Sequence, residues 1–334
     1  MNKKPRVSVY MASFNGERYV EQAVRSILDQ TFRDLELVVV DDGSREPTLE
    51  ILRRIAREDA RLKLHEAAHQ GLVGTLNLAI SLCRGDYLAR MDHDDISVPH
   101  RIERQVQFLD KHPAFVACGS EIRRMSADGV LARNPNRRQR RLRHRPDLLP
   151  PRVQWMPGPT PMIRAEALRR AGGYRPQFLA SEDRDLCWRL GQIGPVARLS
   201  EALLQYRGHA NNTSRLQRRT QLFSHLLGDM SAICRHFGLD DSTIVAQIVP
   251  GGDYMPAVAS YRRLLAACYP VETYWLMFLC RHRAWTIGGF QTDEAFMKAV
   301  VAHWRQKPLD LRRAEVAART LLAARGRKGA EVAG

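Results

Sequence analysis

The sequence predicts an α/β domain built on a mostly parallel sheet and followed by a helical extension, and three observations support this fold class. Between residues 7 and 122, short apolar runs alternate with longer segments whose apolar residues recur at helical spacing. The apolar runs are nearly continuous, which is typical of strands covered by helices on both faces. Beyond residue 216 only helical patterns follow. We therefore expect a first domain over residues 1–215 and a helical extension over residues 216–334.

The individual elements follow from local patterns. The predicted strands are residues 7–11, 35–40, 62–65, 87–91, 116–122, 196–199 and 203–207. The predicted helices begin near residues 17, 48, 72, 99, 165 and 182. Pro99 suits the first turn of a helix, and Gly172 suits the end of one. Asp128 and Gly129 predict a turn, and the prolines between residues 146 and 161 indicate a loop.

The chain has 334 residues and a formal net charge of +16, to which the seven arginines between Arg133 and Arg145 contribute. Such a run suits nucleic acid, an anionic membrane, a phosphorylated substrate or simply a solvated loop. No RRM, KH or helix-turn-helix pattern with interleaved aromatic residues accompanies it. We therefore expect no nucleic-acid partner and favour an anionic membrane surface or an acceptor phosphate.

The cysteine pattern and the lack of long apolar runs predict the compartment. The six cysteines are scattered and form no CxxC pair, which fits a reducing environment. No apolar run approaches the roughly 18 residues that span a bilayer. Lys3 and Lys4 lead directly into a strand pattern rather than a leader sequence. We expect a cytoplasmic protein that can lie peripherally on the inner face of the cell membrane.

Candidate ligand-binding residues follow three predicted strands at their carboxyl ends. They are Phe14 with its polar neighbours, Asp42, and the run Asp92–Asp95. In an open parallel sheet these ends form the ligand-binding edge. On an extended segment Asp92 and Asp94 would face the same side, and a divalent cation such as Mg²⁺ or Mn²⁺ would relieve their repulsion. A solvated acidic turn that caps the helix near Pro99 is the alternative. The convergence of three polar clusters favours a ligand site.

Two later segments also carry candidate residues. Glu182 and Asp183 follow Ser181 at the start of an amphipathic helix, and His209 follows the last predicted strand. A purely structural role is open for each. Ser181 could cap the helix, acidic residues favour a first helical turn, and His209 could be a surface loop residue.

Taken together, these motifs resemble those of family 2 glycosyltransferases. The N-terminal segment is similar in Val7-Ser8-Val9, Ser13-Phe14-Asn15, residues 23–32 (AVRSILDQTF) and Asp41-Asp42-Gly43-Ser44. Asp92-His93-Asp94-Asp95 is similar to the family's variant of the DxD motif. Glu182-Asp183 resembles its acidic pair before a Trp-containing helix, and Tyr206-Arg207-Gly208-His209 resembles its late histidine element. The motifs occur in the family's order and cover about residues 5–215.

The resemblance implies a GT-A fold, a nucleotide-sugar donor with uridine as the expected base, Mn²⁺ or Mg²⁺, and inversion at the anomeric carbon. It implies a glycan or a lipid-linked acceptor in cell-surface polysaccharide synthesis. The residues expected at the donor are Phe14, Asn15, Asp41, Asp42 and Asp92. The expected metal ligands are Asp94 and His209. Asp183 is the expected general base, with Glu182 as the alternative.

One departure from the family pattern lies at His69-Gln70-Gly71, where the family more often has an Asn before its Gly. This departure concerns a segment expected to contact the donor. Two other functions remain open, one on the same fold and one on a related fold. A non-catalytic nucleotide-sugar-binding or scaffolding protein would not need Asp94, Asp183 and His209 together. A nucleotidyltransferase would favour a glycine-rich basic loop after the first strand, and this chain lacks one.

Overall fold

The computed structural model describes residues 4–132 and 155–268, except Phe237 and Gly251. The Arg133–Arg145 run and the helices predicted beyond residue 273 lie outside the described residues. The strands are β1 (Val7–Ser13), β2 (Leu35–Asp41), β3 (Leu62–Glu66), β4 (Tyr87–Arg90), β5 (Ile96–Ser97), β6 (Ala117–Ser126), β7 (Met162–Arg164) and β8 (Val196–Gly208). The helices are α1 (Val20–Leu28), α2 (Thr48–Glu58), α3 (Gly71–Leu82), α4 (Arg101–Lys111), α5 (Ala165–Ala171), α6 (Glu182–Ile193), α7 (Thr213–Leu216), α8 (Arg218–His236), α9 (Ser242–Ala246) and α10 (Met255–Cys268).

The eight described strands form one sheet in the order β3-β2-β1-β4-β7-β6-β8-β5. The first four are parallel, as predicted, and β1 pairs with β2 from Val7↔Leu35 to Ser13↔Asp41. The second half is mixed, because β7 runs antiparallel to both β4 and β6. The chain order reverses around β1, so the carboxyl ends of β1, β2 and β4 border a crevice of the kind in which such sheets bind ligands.

Helices cover both faces of the sheet, which explains why β1 and β2 are continuously apolar. Val9 and Met11 of β1 pack with α1, α2 and α4 in one hydrophobic layer. Tyr10 and Ala12 face the other layer, with α3, α5 and α6. Each apolar side chain that is fully buried stabilises the fold by about 1.5–3 kcal/mol, so the strand ends that carry polar residues stand on a rigid base.

The structure corrects several predicted elements. Residues 92–95 form a turn after β4 rather than an extended continuation of it, so the inference that Asp92 and Asp94 point the same way is wrong. The two strands predicted at residues 196–199 and 203–207 are one strand, β8, with irregular pairing to β6. β7 was missed because three residues after a proline-rich stretch carry no periodic signal. α5 ends at Gly172 in the left-handed conformation, as predicted.

The described residues fall into two compact units, the first ending at Gly228 and the second beginning at Asp229. Within the second unit, the buried Tyr261 hydroxyl donates to Asp241 Oδ2 at 2.7 Å. None of the helices in the described ranges is long and apolar enough to cross a membrane. The domain boundary predicted between residues 215 and 216 stays a prediction.

Candidate functional site

A cavity of about 520 Å³ lies at the carboxyl ends of β1, β2 and β4. Its lining includes Phe14 and Asp42 as well as Asp94 and His209. The structure therefore brings together residues from four of the motifs that the sequence singled out. Asp41 and Asp92 are not among the lining residues.

The Phe14 side of the cavity presents an aromatic face. Phe14 is 37% exposed, and its ring centroid lies 4.5 Å from that of His69. His69 Nδ1 lies 2.9 Å from Asp42 Oδ2. The Asp42 carboxylate also accepts hydrogen bonds from the backbone N–H groups of Gln70 and Gly71, at 2.8 and 3.0 Å. Asp42 thus fixes the start of α3 and holds His69 beside Phe14.

Asn15 and Asp41 lock the two loops that carry Phe14 and Asp42. Asn15 has a positive φ of 48°, and its Oδ1 accepts from the backbone N–H of Arg45 at 2.9 Å. Both carboxylate oxygens of the buried Asp41 accept hydrogen bonds from Ser44, at 2.6 and 3.0 Å. Asp41 therefore shapes the turn behind the cavity and does not face into it.

Gly16 allows a close approach between the β1 loop and the acidic turn. A Cβ atom at this position would lie 2.6 Å from Cδ2 of His93, closer than real Cβ contacts allow. His93 in turn places its Nδ1 3.3 Å from the carbonyl oxygen of Ala12. The absence of a side chain at Gly16 thus lets His93 and Asp94 sit against the end of β1.

Asp94 and His209 form the polar centre of the cavity. His209 Nε2 lies 2.8 Å from Asp94 Oδ2, and their side chains are only 13% and 18% exposed. Asn212 orients both groups, because its Oδ1 accepts from the His209 backbone N–H at 2.6 Å and its Nδ2 lies 3.4 Å from Asp94 Oδ2. Burial acts to raise the pKa of Asp94, but the hydrogen bond with His209 and the nearby His93 outweigh it and lower that pKa. His209 is therefore a partly buried site residue and not a surface loop histidine.

Arg207 holds the acidic turn against β8, whereas the sequence motif that contains it pointed only to His209. Its buried guanidinium donates to the carbonyl oxygens of Asp94 and Ala127 and to Gln22 Oε1, at 2.8, 3.0 and 2.9 Å. Its backbone N–H donates to Asp95 Oδ1 at 2.8 Å. Burial and the charges of Asp94 and Asp92 raise the pKa of Asp95 well above its usual range. Asp95 is thus a structural member of the turn.

The donor set at Asp94 and His209 fits a divalent cation in its chemistry. Carboxylate oxygens suit Mg²⁺ and Mn²⁺, and a neutral imidazole nitrogen is a common metal ligand. Within residues 4–132 and 155–268 no group of three His, Cys, Asp or Glu side chains assembles as a metal site. Two protein ligands leave coordination positions for phosphate oxygens, as is usual for Mg²⁺ bound with nucleotides.

Asp92 belongs to a different, buried network. Its Oδ1 accepts from Arg90 Nε at 2.9 Å, and Arg90 Nη1 donates to Glu182 Oε1 at 3.0 Å. The Arg90 guanidinium lies 5.5 Å from the ring centroid of Tyr174. A charged residue inside the apolar run 87–91 was the sequence signal for this network. Glu182 is 4% exposed, so its carboxylate is held in an internal ion pair.

Asp183 is more accessible than Glu182. Its Oδ1 accepts from the backbone N–H of Arg184 at 2.7 Å, and its Oδ2 lies beside Gly158, where an added Cβ would be 3.2 Å away. Burial, reinforced by the charge of Glu182, raises the pKa of Asp183 to about 6. Ser181 makes no side-chain capping bond to α6, so the proposed serine cap is wrong. A carboxylate with this pKa can accept a proton near neutral pH.

The model of glycosyl transferase family 2 matches residues 8–172. The chain is 35% identical over 216 residues to the putative glycosyltransferase EpsE of Bacillus subtilis (strain 168), covering 62% of this chain and 74% of that protein. It is 31% identical over 218 residues to the O-antigen biosynthesis glycosyltransferase WbnJ of Escherichia coli, covering 63% of this chain and 82% of that protein.

Solved structures with similar folds share less sequence. S. aureus TarS 1-349 in complex with UDP superposes with a TM-score of 0.58 at 17% identity, over 81% of this chain and 83% of that one. The mannosyltransferase PcManGT of Pyrobaculum calidifontis, in complex with GDP-Man and Mn²⁺, superposes with a TM-score of 0.53 at 19% identity, over 96% of this chain and 87% of that one. At these identities the likeness concerns the fold.

Proposed function

The chain belongs to glycosyltransferase family 2, and from this membership we propose that it transfers a sugar from a UDP-sugar donor to a hydroxyl of a glycan or lipid-linked acceptor, with inversion and with a divalent cation. The family and the enzyme class are established by the relatives, and the GT-A fold predicted from the resemblance is confirmed by the structural neighbours. The donor, acceptor, cation and stereochemistry are the proposal.

The observation that carries the proposal is the contact of 2.8 Å between His209 Nε2 and Asp94 Oδ2 at one wall of the cavity. The exposed ring of Phe14 lines the same cavity, and a nucleobase could stack on it. In addition, the buried hydroxyl of Tyr19, a further lining residue, has no hydrogen-bond partner among the described residues. Complexes of the structural neighbours with UDP, UDP-GlcNAc and GDP-Man support a nucleotide-sugar donor.

In the proposed reaction, Asp183 accepts the proton of the acceptor hydroxyl at Oδ2 while the oxygen attacks the anomeric carbon. Positioned general bases of this kind contribute about 10² to 10⁴ in rate. A cation held by Asp94 and His209 would neutralise the charge that develops on the leaving diphosphate. Glu182 is less suited as the base, because Arg90 already occupies its carboxylate.

The relatives also suggest where the product goes. WbnJ is named for O-antigen biosynthesis, which supports a glycan or lipid-linked acceptor in cell-surface polysaccharide synthesis. We further propose that residues 1–215 form the transferase domain and residues 216–334 a helical extension. The Arg133–Arg145 run would bring this cytoplasmic enzyme to the anionic inner face of the membrane.

The test is a panel of UDP-glucose, UDP-galactose, UDP-N-acetylglucosamine and GDP-mannose, each with Mn²⁺ and with EDTA. Thermal unfolding measures binding, because a ligand at 100 times its dissociation constant adds about 2.7 kcal/mol. Release of the nucleoside diphosphate measures turnover. We expect one UDP-sugar to stabilise the protein and be hydrolysed slowly with Mn²⁺ only. Binding without turnover, even with acceptor glycans present, would favour the non-catalytic alternative.

A matched pair of variants separates donor binding from cation binding. Phe14→Ala should weaken the stabilisation by every UDP-sugar with or without Mn²⁺. His209→Ala should remove only the additional effect of Mn²⁺. If His209→Ala leaves the Mn²⁺ dependence intact, the assignment of the cation to this histidine is wrong.

A further inference from the structure

Arg90 is the buried group that joins the two halves of the site. It is the last residue of β4 and is 3% exposed. On one side its Nε donates to Asp92 Oδ1, and on the other its Nη1 donates to Glu182 Oε1. These two carboxylates come from segments 90 residues apart in the chain, one beside the Asp94 turn and one beside Asp183.

The backbone of Arg90 is fixed as firmly as its side chain. Its N–H donates to the carbonyl oxygen of Pro161 at 2.9 Å, and its carbonyl oxygen accepts from the buried guanidinium of Arg101 at 2.7 Å. Pro161 ends the loop that contains Gly158, and a Cβ added at Gly158 would lie 3.2 Å from Asp183 Oδ2. Arg90 is therefore bonded to three elements around Asp183: the acidic turn, the start of α6 and the loop before β7.

We propose that Arg90 is a positioning residue that fixes Asp92 and the start of α6 with one guanidinium, and so sets the distance and orientation of the Asp183 base relative to the donor. This proposal rests on the proposed function, since it assumes that Asp183 is the base. An arginine suits the role because its planar fork donates in two fixed directions, which the single ammonium of lysine cannot do.

The charge of Arg90 also acts on Asp183. The charged and titratable groups that face Asp183 are Glu182 and Arg184 from α6, Arg90 from β4 with its partner Asp92, and Cys187 one turn along α6. Burial and Glu182 raise the pKa of Asp183, whereas Arg90 is the largest influence that lowers it. Removing Arg90 should therefore raise this pKa, because a nearby cation favours the ionised carboxylate.

The test uses the full-length protein with Glu182→Gln as background, so that the protons taken up as the pH falls go to Asp183 and not to Glu182. Adding Arg90→Met should move the acidic limb of kcat/KM upward by about 1 pH unit or more. It should also lower kcat about 10- to 100-fold, because the base is no longer held in place. Both kinetic constants are measured from the release of nucleoside diphosphate from the best donor of the panel, with Mn²⁺ present.

A second readout needs no substrate. Asp183→Asn is added to the Glu182→Gln protein and to the Glu182→Gln/Arg90→Met protein. The change in Tm that Asp183→Asn causes in each is followed from pH 4 to 8. The pH at which this change levels off reports the pKa of Asp183 in the folded protein. We expect that pH to be higher when Arg90→Met is present. If neither the limb nor the levelling pH moves, the proposal is overturned.

Two further variants distinguish the positioning role of Arg90 from the effect of its charge and from a general loss of stability. Arg90→Lys keeps the charge, so the acidic limb should stay near its original pH while kcat falls; full recovery of kcat would overturn the bridging role. Arg84→Met is the matched control, because Arg84 pairs with the buried Glu36 at the opposite end of β4. An equal change of kcat and pH profile in Arg84→Met would also overturn it. Loss of activity in Glu182→Gln alone, with Asp183→Asn active, would instead contradict the proposed base.

Discussion

Asp183 and Glu182 are neighbours in the chain, yet their surroundings differ. Glu182 is buried against Arg90, whereas Asp183 is partly exposed beside Gly158. We expect Asp183→Asn to abolish sugar transfer while nucleotide binding persists, since the donor cavity does not include it. Glu182→Gln should retain part of the activity. Transfer rates and UDP binding of the two variants check this, and the reverse order of activities would exchange their roles.

The pKa of Asp183, raised to about 6, predicts a defined pH dependence. Activity should fall with an acidic limb near pH 6, because the protonated carboxyl cannot accept the acceptor proton. A carboxyl whose folded-state pKa is raised stabilises the fold most when protonated, so this contribution is present below about pH 4 and lost as the pH rises through 6.

The same shift predicts that Asp183→Asn stabilises the protein at pH 7.5 by at most about 3 kcal/mol, since asparagine resembles the protonated form. Thermal unfolding at pH 7.5 and pH 4 measures this. The gain should disappear at pH 4. If the variant is less stable than the original protein at pH 7.5, the ionised Asp183 carboxylate does not destabilise the fold and the prediction is wrong.

At the scale of elements, the side chain of Arg207 on β8 holds the backbone of the acidic turn after β4. Arg207 donates to three oxygens on three different segments, and these acceptors would be left without their partner in Arg207→Met. We expect a loss of about 1–3 kcal/mol in the free energy of unfolding, because partly buried oxygens lose a charged hydrogen-bond donor. The response of Tm to Mn²⁺ with UDP should weaken as well, since the turn carries Asp94.

Arg54→Met is the matched control for this prediction. Arg54 lies on the exposed surface of α2 and pairs with Glu58 of the same helix and with Glu21 of α1, so its replacement should change Tm little. Comparable losses in the two variants would mean that Arg207 contributes no more than a surface ion pair.

At the scale of the whole molecule, the net charge of +16 predicts salt-sensitive binding to anionic membranes. Each Lys or Arg near an anionic surface contributes about 1 kcal/mol, and salt screens this attraction. The protein should sediment with phosphatidylglycerol vesicles at 50 mM salt and not at 500 mM, and it should ignore phosphatidylcholine vesicles. Replacing Arg137, Arg138, Arg140 and Arg141 by glutamine should weaken binding.

The control for the membrane prediction replaces arginines outside this run, Arg53 and Arg54, by glutamine. If these changes weaken vesicle binding equally per charge, the attraction comes from the total charge and not from the run. If the unsubstituted protein does not bind anionic vesicles at low salt, the membrane role is wrong and an acceptor phosphate becomes the better partner for the arginines.

The sequence by itself determined the strand and helix alternation, the parallel half of the sheet and the edge at which the polar motifs collect. These features depend on local periodicity and on the burial of continuous apolar runs, which are properties of neighbouring residues. It did not reveal β7, the continuity of β8 or the turn at residues 92–95, because short or irregular segments carry no periodic signal.

Only the tertiary structure decided which polar residues share partners. His209 contacts Asp94 across 115 residues, and Arg90 joins Glu182 across 92, while Asp92, only two residues from Asp94, belongs to the other network. Such partnerships depend on where strands and loops meet in space, and a buried charge finds its partner by proximity in the fold. For that reason the motifs located the site, whereas the separate roles of its carboxylates became clear only from the tertiary structure.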